Sequence, residues 1–92
     1  MLVAAGLPSE SGEVAAHERF EEAFGEVLRE LRLEAGRSQE ELAASAELST
    51  YYLRELEYGR KSATLASVVR IAKALGCAPH DLVARAEQRW KG

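Results

Sequence analysis

Ninety-two residues, 47% of them hydrophobic and 29% charged, are enough for one small domain and not for two. An abundance of Leu, Ala and Glu with only two prolines points to an all-α fold, and a single cysteine excludes an internal disulfide. No apolar run approaches membrane-spanning length, and the apolar start MLVAAGL lacks the basic region of a secretory signal, so a cytoplasmic protein without membrane association is expected.

Residues 1–12 carry Gly6, Pro8, Ser9, Ser11 and Gly12 and read as a poorly structured arm, in which Ser11 is a weak candidate cap for a helix near Glu13. The domain is divided as an arm over 1–16 and a folded part over 17–92. From about His17 the apolar residues Phe20, Phe24, Val27, Leu28 and Leu31 form one helical stripe, ended by Gly36 as a left-handed residue. Gly25 interrupts the stripe, and a close helix crossing would explain it. In SQEE, Ser38 and Glu41 have the spacing of a capping box for a second helix that runs to about Ala46. Ser49 caps a third helix ending at Gly59. Thr64 caps a fourth, closed by Gly76, with inner residues Leu65, Val68, Val69, Ala72 and Leu75. Pro79 opens a fifth, whose apolar face holds Leu82, Val83, Ala86 and Trp90.

The stretch Gln39 to Gly59 is the most telling, because helices 2 and 3 leave room only for a tight turn between them. Two helices so joined cross steeply, and the outer face of the second becomes a ridge that fits the major groove of DNA. With Leu53 and Leu56 facing inward, the 100° helical step turns Tyr51, Glu55 and Tyr58 outward, with Thr50 and Arg54 flanking and Tyr52 beside the buried edge. Arg54 has the donors for guanine O6 and N7, and Glu55 the acceptors for a cytosine amino group. Arg60, Lys61 and Ser62 follow in a loop suited to phosphate, as are Ser38, Gln39 and Ser49 at helix N-termini. The net charge of −3 argues against nucleic acid, but residues 1–34 contribute −5 and residues 35–92 contribute +2, so a basic face is compatible with an acidic whole.

Taken together, LRELRLEAGRSQEELA, LSTYYLRELEYGRKSATLASVVRIAKALG and the closing PHDLV resemble the Xre/Cro-like family of lambda-repressor-like helix-turn-helix domains, over roughly Phe24 to Val83. The resemblance implies a five-helix, all-α, lambda-repressor-like domain with the helix-turn-helix at helices 2 and 3. It further implies that Gln39 touches phosphate and supports the recognition helix, that Thr50, Tyr51, Arg54 and Glu55 read bases, and that Arg32 pairs with Glu57. The chain departs from the family in the turn, where Glu47 stands in place of the usual glycine.

The expected function is therefore sequence-specific binding of double-stranded DNA by a transcriptional regulator, acting as a homodimer on palindromic sites because one recognition helix reads only a few base pairs. Helix 5, the tail through Trp90 and the arm are the candidate dimer surfaces. Trp90 can instead fold back on helix 1 beside Phe20 or Phe24. The rival reading is a protein-interaction module, such as an antitoxin-like partner-binding protein of the same fold. Neither a catalytic constellation nor a metal or cofactor site is expected: Cys77 reads as a packing residue, and His17 and His80 have no second ligand nearby.

Overall fold

The computed structural model describes residues 19–91, so the arm over 1–16, with Ser11 and His17, lies outside the described residues. Five helices follow one another: α1 Phe20–Glu34, α2 Gln39–Ala46, α3 Thr50–Glu57, α4 Leu65–Leu75 and α5 Pro79–Lys91. Helix α1 starts at Phe20 rather than near His17, because Arg19 is extended at φ −114°, ψ 140°. The caps fall where the sequence places them. Ser38 and Glu41 form both bonds of the capping box, Ser49 accepts from the Tyr52 amide, and Thr64 accepts from the Ser67 amide.

Helices α1 to α4 end alike, with paired backbone bonds of the Schellman type. At the end of α2 these run from Leu48 N–H to Ala43 O and from Glu47 N–H to Ala44 O. Gly36, Gly59 and Gly76 take the left-handed position in the other three, but here Glu47 takes it, at φ 61° and ψ 40°. The turn thus keeps the geometry expected of glycine without the glycine, at a cost of about 1 kcal/mol. Leu48 packs against the core and Ser49 caps α3, so flanking contacts hold the strained residue in place.

The core joins Phe24, Val27 and Leu28 of α1 to Leu42, Ala43, Ala46, Leu53, Leu56, Val68, Ile71, Ala72, Leu82 and Ala86. Each fully buried Leu or Ile contributes about 1.5–3 kcal/mol. The most extensive contact is between α1 and α5, while α2 bridges α3 and α4. Gly25 sits where α1 crosses the end of α3, and a Cβ there would lie 2.5 Å from Leu56 O and 2.6 Å from Glu57 O. Only a residue without a side chain allows that approach.

Two expected faces are corrected. In α4 the buried stripe is Val68, Ile71 and Ala72, with Leu75 partly buried, whereas Leu65 is 86% and Val69 51% exposed. Leu65 occupies the first position of the helix, and Val69 lies one 100° step round from Val68, off the stripe. In α5, Leu82 and Ala86 are buried, but Val83 is turned outward. Trp90 packs edge-on against Phe20 at 5.5 Å, and Arg89 bridges Glu26 and Glu30 at 3.1 and 2.6 Å. The fold-back of Trp90 onto α1 is the arrangement seen.

Candidate nucleic-acid interface

The position of α3 is fixed from below by one carboxylate. Arg32 of α1 donates from Nε to Glu57 Oε2 at 2.6 Å and from Nη2 to Oε1 at 3.1 Å, with both side chains buried. Its remaining Nη1 donates to the Arg37 carbonyl at 2.8 Å, so the guanidinium also ties down the loop before α2. These bonds from Glu57 raise the Arg32 pKa above its ordinary value, and the charge is permanent. Gln39 at the start of α2 donates from Nε2 to Glu57 Oε1 at 3.0 Å. Because its nitrogen faces the carboxylate, its Oε1 faces Arg54, whose Nε donates to it across 3.4 Å. A chain of polar contacts thus runs from the interior to the side chain expected to read a base. The amide of Gln39 thereby supports α3, the second of the two roles that the family resemblance implies for it.

Along α3, Tyr51 and Tyr58 stand out at 60% and 59% exposure, Arg54 is half-buried and Thr50 flanks them. A cation caps each exposed ring: Arg60 lies 4.6 Å from the Tyr58 centroid and Lys61 5.9 Å from that of Tyr51. One surface therefore presents two flat rings with two positive charges beside them, a combination suited to base edges and phosphates. Ser38 and Ser49 are exposed, and each accepts a capping bond while its hydroxyl hydrogen stays available to an acceptor.

Two expected members of the surface point elsewhere. Glu55 is buried, 9% exposed, with its carboxylate 3.2 Å from Arg60 Nη1. A helical wheel treats α3 as a free cylinder and takes no account of the segment after Gly59, whose Arg60 side chain engages the Glu55 carboxylate. Tyr52 is half-buried as well. Its hydroxyl donates to Ser62 O at 3.4 Å and accepts from the Thr64 amide and Ser67 Oγ at 3.3 Å each, bracing the loop against α4.

The first turn of α1 supplies residues that the sequence did not flag. Arg19 donates to Gly59 O at 2.6 Å, and Ser62 Oγ donates to Glu21 at 2.8 Å, an interaction that holds the Glu21 carboxyl below the usual carboxylate range. These contacts cross about forty positions of sequence, and no local pattern announces them. Arg37, next to Ser38, has a buried Nη1 with no partner among the described residues. Among those residues there is no cluster of His, Cys, Asp and Glu able to hold a metal, and no helix is long and apolar enough to cross a membrane.

A helix-turn-helix family model matches residues 28–82, which contain both helices of this surface and the Arg32–Glu57 pair. The chain belongs to the Xre/lambda-repressor-like helix-turn-helix family. Within that family it is 38% identical over 61 residues to the control protein C.BamHI of Bacillus amyloliquefaciens, an alignment covering 65% of this chain and 75% of that one. Among solved structures it is similar to the restriction-modification controller protein C.AhdI of Aeromonas hydrophila, at TM-score 0.66 and 37% identity over 67% of this chain and 94% of that one. It is also similar to the clp gene regulator ClgR of Corynebacterium glutamicum, at TM-score 0.72 and 34% identity over 76% and 74% of the two chains. These relatives are named as regulators, not enzymes.

Proposed function

We propose that this helix-turn-helix protein is a transcriptional regulator that binds double-stranded DNA by sequence, placing α3 in the major groove and working in the cytoplasm as a homodimer on palindromic sites. The observation that carries the reading is the α3 surface: Tyr51, Arg54 and Tyr58 outward, cations on both rings, and Arg54 joined through Gln39 to the buried Arg32–Glu57 pair. Arg54 supplies the forked donors for a guanine edge. Lys61, Arg60 and the N-termini of α2 and α3 with Ser38 and Ser49 meet phosphate, where Arg37 is a further cation. Gln39 and Tyr52 act by holding their neighbours, and Ser62 by exchanging its Glu21 partner for phosphate.

Selection from a random duplex pool followed by titration tests this reading. Arg54→Ala is expected to cost about 1–3 kcal/mol on the selected site and to relax preference at one base position, whereas Lys61→Ala weakens every sequence alike. Log K should fall linearly with log salt. Flat salt dependence with no selected motif would favour the partner-binding reading, to which the acidic net charge lends support.

For the dimer, Trp90 packs on Phe20 and keeps 39% exposure, while Leu65 and Val69, four residues apart on one face of α4, are apolar and more exposed. That face is where a second copy is expected, since exposed apolar residues at helical spacing mark contact surfaces. Leu65→Asp combined with Val69→Asp should sediment as a monomer at low micromolar concentration while keeping its helical content. A double variant that stays dimeric would move the interface to another face.

A further inference from the structure

Glu55 is a buried carboxylate of α3 in contact with Arg60, and the base-reading scheme has no use for it. Its side chain is only 12% exposed, while that of Arg60, which it contacts at 3.2 Å, is 62% exposed. Arg60 is restrained three times: its amide donates to Glu55 O at 3.0 Å, its Nη1 donates to Glu55 Oε2, and its Cζ lies over the Tyr58 ring, 4.6 Å from the centroid. A guanidinium has five N–H donors, so one bond to Glu55 leaves the others for a second anion.

We propose that Glu55 is a positioning residue, which with the Tyr58 ring holds the Arg60 guanidinium ready for a backbone phosphate and itself touches no base. The inference rests on the DNA-binding reading above. Ordinarily an arginine in a loop loses rotamer freedom when it grips a phosphate, and that loss weakens binding. Here the freedom is given up on folding, where the burial of Glu55 and the stacking on Tyr58 offset it. The carboxylate also works against the phosphate, because it partly neutralises Arg60. Burial decides the balance: the Glu55 side chain is 12% exposed and that of Arg60 62%, so the guanidinium is open to an outside anion and the carboxylate is not.

The test uses the whole chain with Glu55→Met, which keeps length and volume but removes the acceptor, and Glu55→Gln, which keeps an acceptor without the charge. Glu55→Met should bind about 3- to 10-fold more weakly on selected and mismatched duplexes alike. Glu55→Gln should stay near wild type, and Glu55→Met should cost nothing further in an Arg60→Ala background. Tighter binding by Glu55→Met, a loss that persists without Arg60, or altered preference at one base would each overturn the proposal. Nuclear magnetic relaxation of the Arg60 Nε–H in the unbound protein supplies a readout independent of DNA. It should report an ordered side chain in the wild type and a mobile one in Glu55→Met, and a wild-type Arg60 that is already mobile overturns the proposal. A wild type that binds no duplex would sink the functional reading, yet the relaxation measurement would still decide whether Glu55 restrains Arg60.

Discussion

Glu57→Ala is expected to destabilise the domain by about 3–5 kcal/mol, because it leaves the buried Arg32 charge without a counterion. The side chains are 9% and 2% exposed, so water cannot replace the lost partner without opening the fold. Natural domains hold only about 5–15 kcal/mol in total, and one of this size loses roughly 4–8 °C in Tm per kcal/mol. A fall in Tm of about 12 °C or more should therefore be visible by calorimetry. Arg32→Ala should act similarly, and the double variant should cost less than the two losses added together. A loss under about 1 kcal/mol would mean that the pair behaves as a surface contact. Replacing both residues with apolar ones of similar size can restore stability, but Gln39 would then lose the acceptor that aims its Oε1 at Arg54.

Gly25→Ala opposes two effects whose sizes differ. In an isolated helix, alanine is favoured over glycine by about 1 kcal/mol. In the folded protein the new methyl would stand 2.5 and 2.6 Å from the carbonyl oxygens of Leu56 and Glu57, and backbone atoms cannot swing aside as a flexible side chain would. Overpacking of this kind typically costs 1–3 kcal/mol, and here the obstacle is rigid. A net loss of about 1–3 kcal/mol is expected in urea denaturation, together with weaker DNA binding as α3 is pushed outward. A variant more stable than wild type would show that α1 can slide away from α3 at little cost.

The parts of this fold that were legible in the sequence are those governed by short-range chemistry. Ser38 and Glu41 lie three residues apart and bond each other's backbone, so four letters define where α2 begins. Gly36, Gly59 and Gly76 mark helix ends because the closing bonds need a left-handed residue close by in sequence. Glu47 obeys the same demand without the expected residue, and there the geometry of the turn outweighed residue preference. Arg32 and Glu57 were legible through family resemblance, not spacing. Glu55 faces outward on the helical wheel but is buried, its carboxylate engaged by Arg60 of the segment that follows α3, whereas the half-buried Tyr52 lies beside the buried edge as its spacing predicts. The apolarity of Leu65 and Val69 predicts an inward face, but apolarity cannot say whether a face meets its own core or a different molecule. Arg19 and Glu21 reach residues forty or so positions away, a separation at which sequence pattern carries no signal.

The pairing of α1 with α5 bears on how the chain acquires this shape. Arg89 reaches Glu26 and Glu30 across 63 and 59 positions of sequence, and Leu82 and Ala86 fill the space left by the other helices. Helices α2 and α3 can form and meet early, through contacts only a few residues apart. The first helix meets α3 as well, but its most extensive contact is with α5. Without α5, the core residues that Leu82 and Ala86 cover would form an apolar trough open to solvent. Non-local closure of this kind slows folding relative to a bundle of neighbours, and an unfilled trough is where a half-made chain associates wrongly. The α3 surface thus depends on distant parts of the chain, held by Arg32 and Arg19 across 25 and 40 positions, and the helix α1 that supports it is in turn covered by α5.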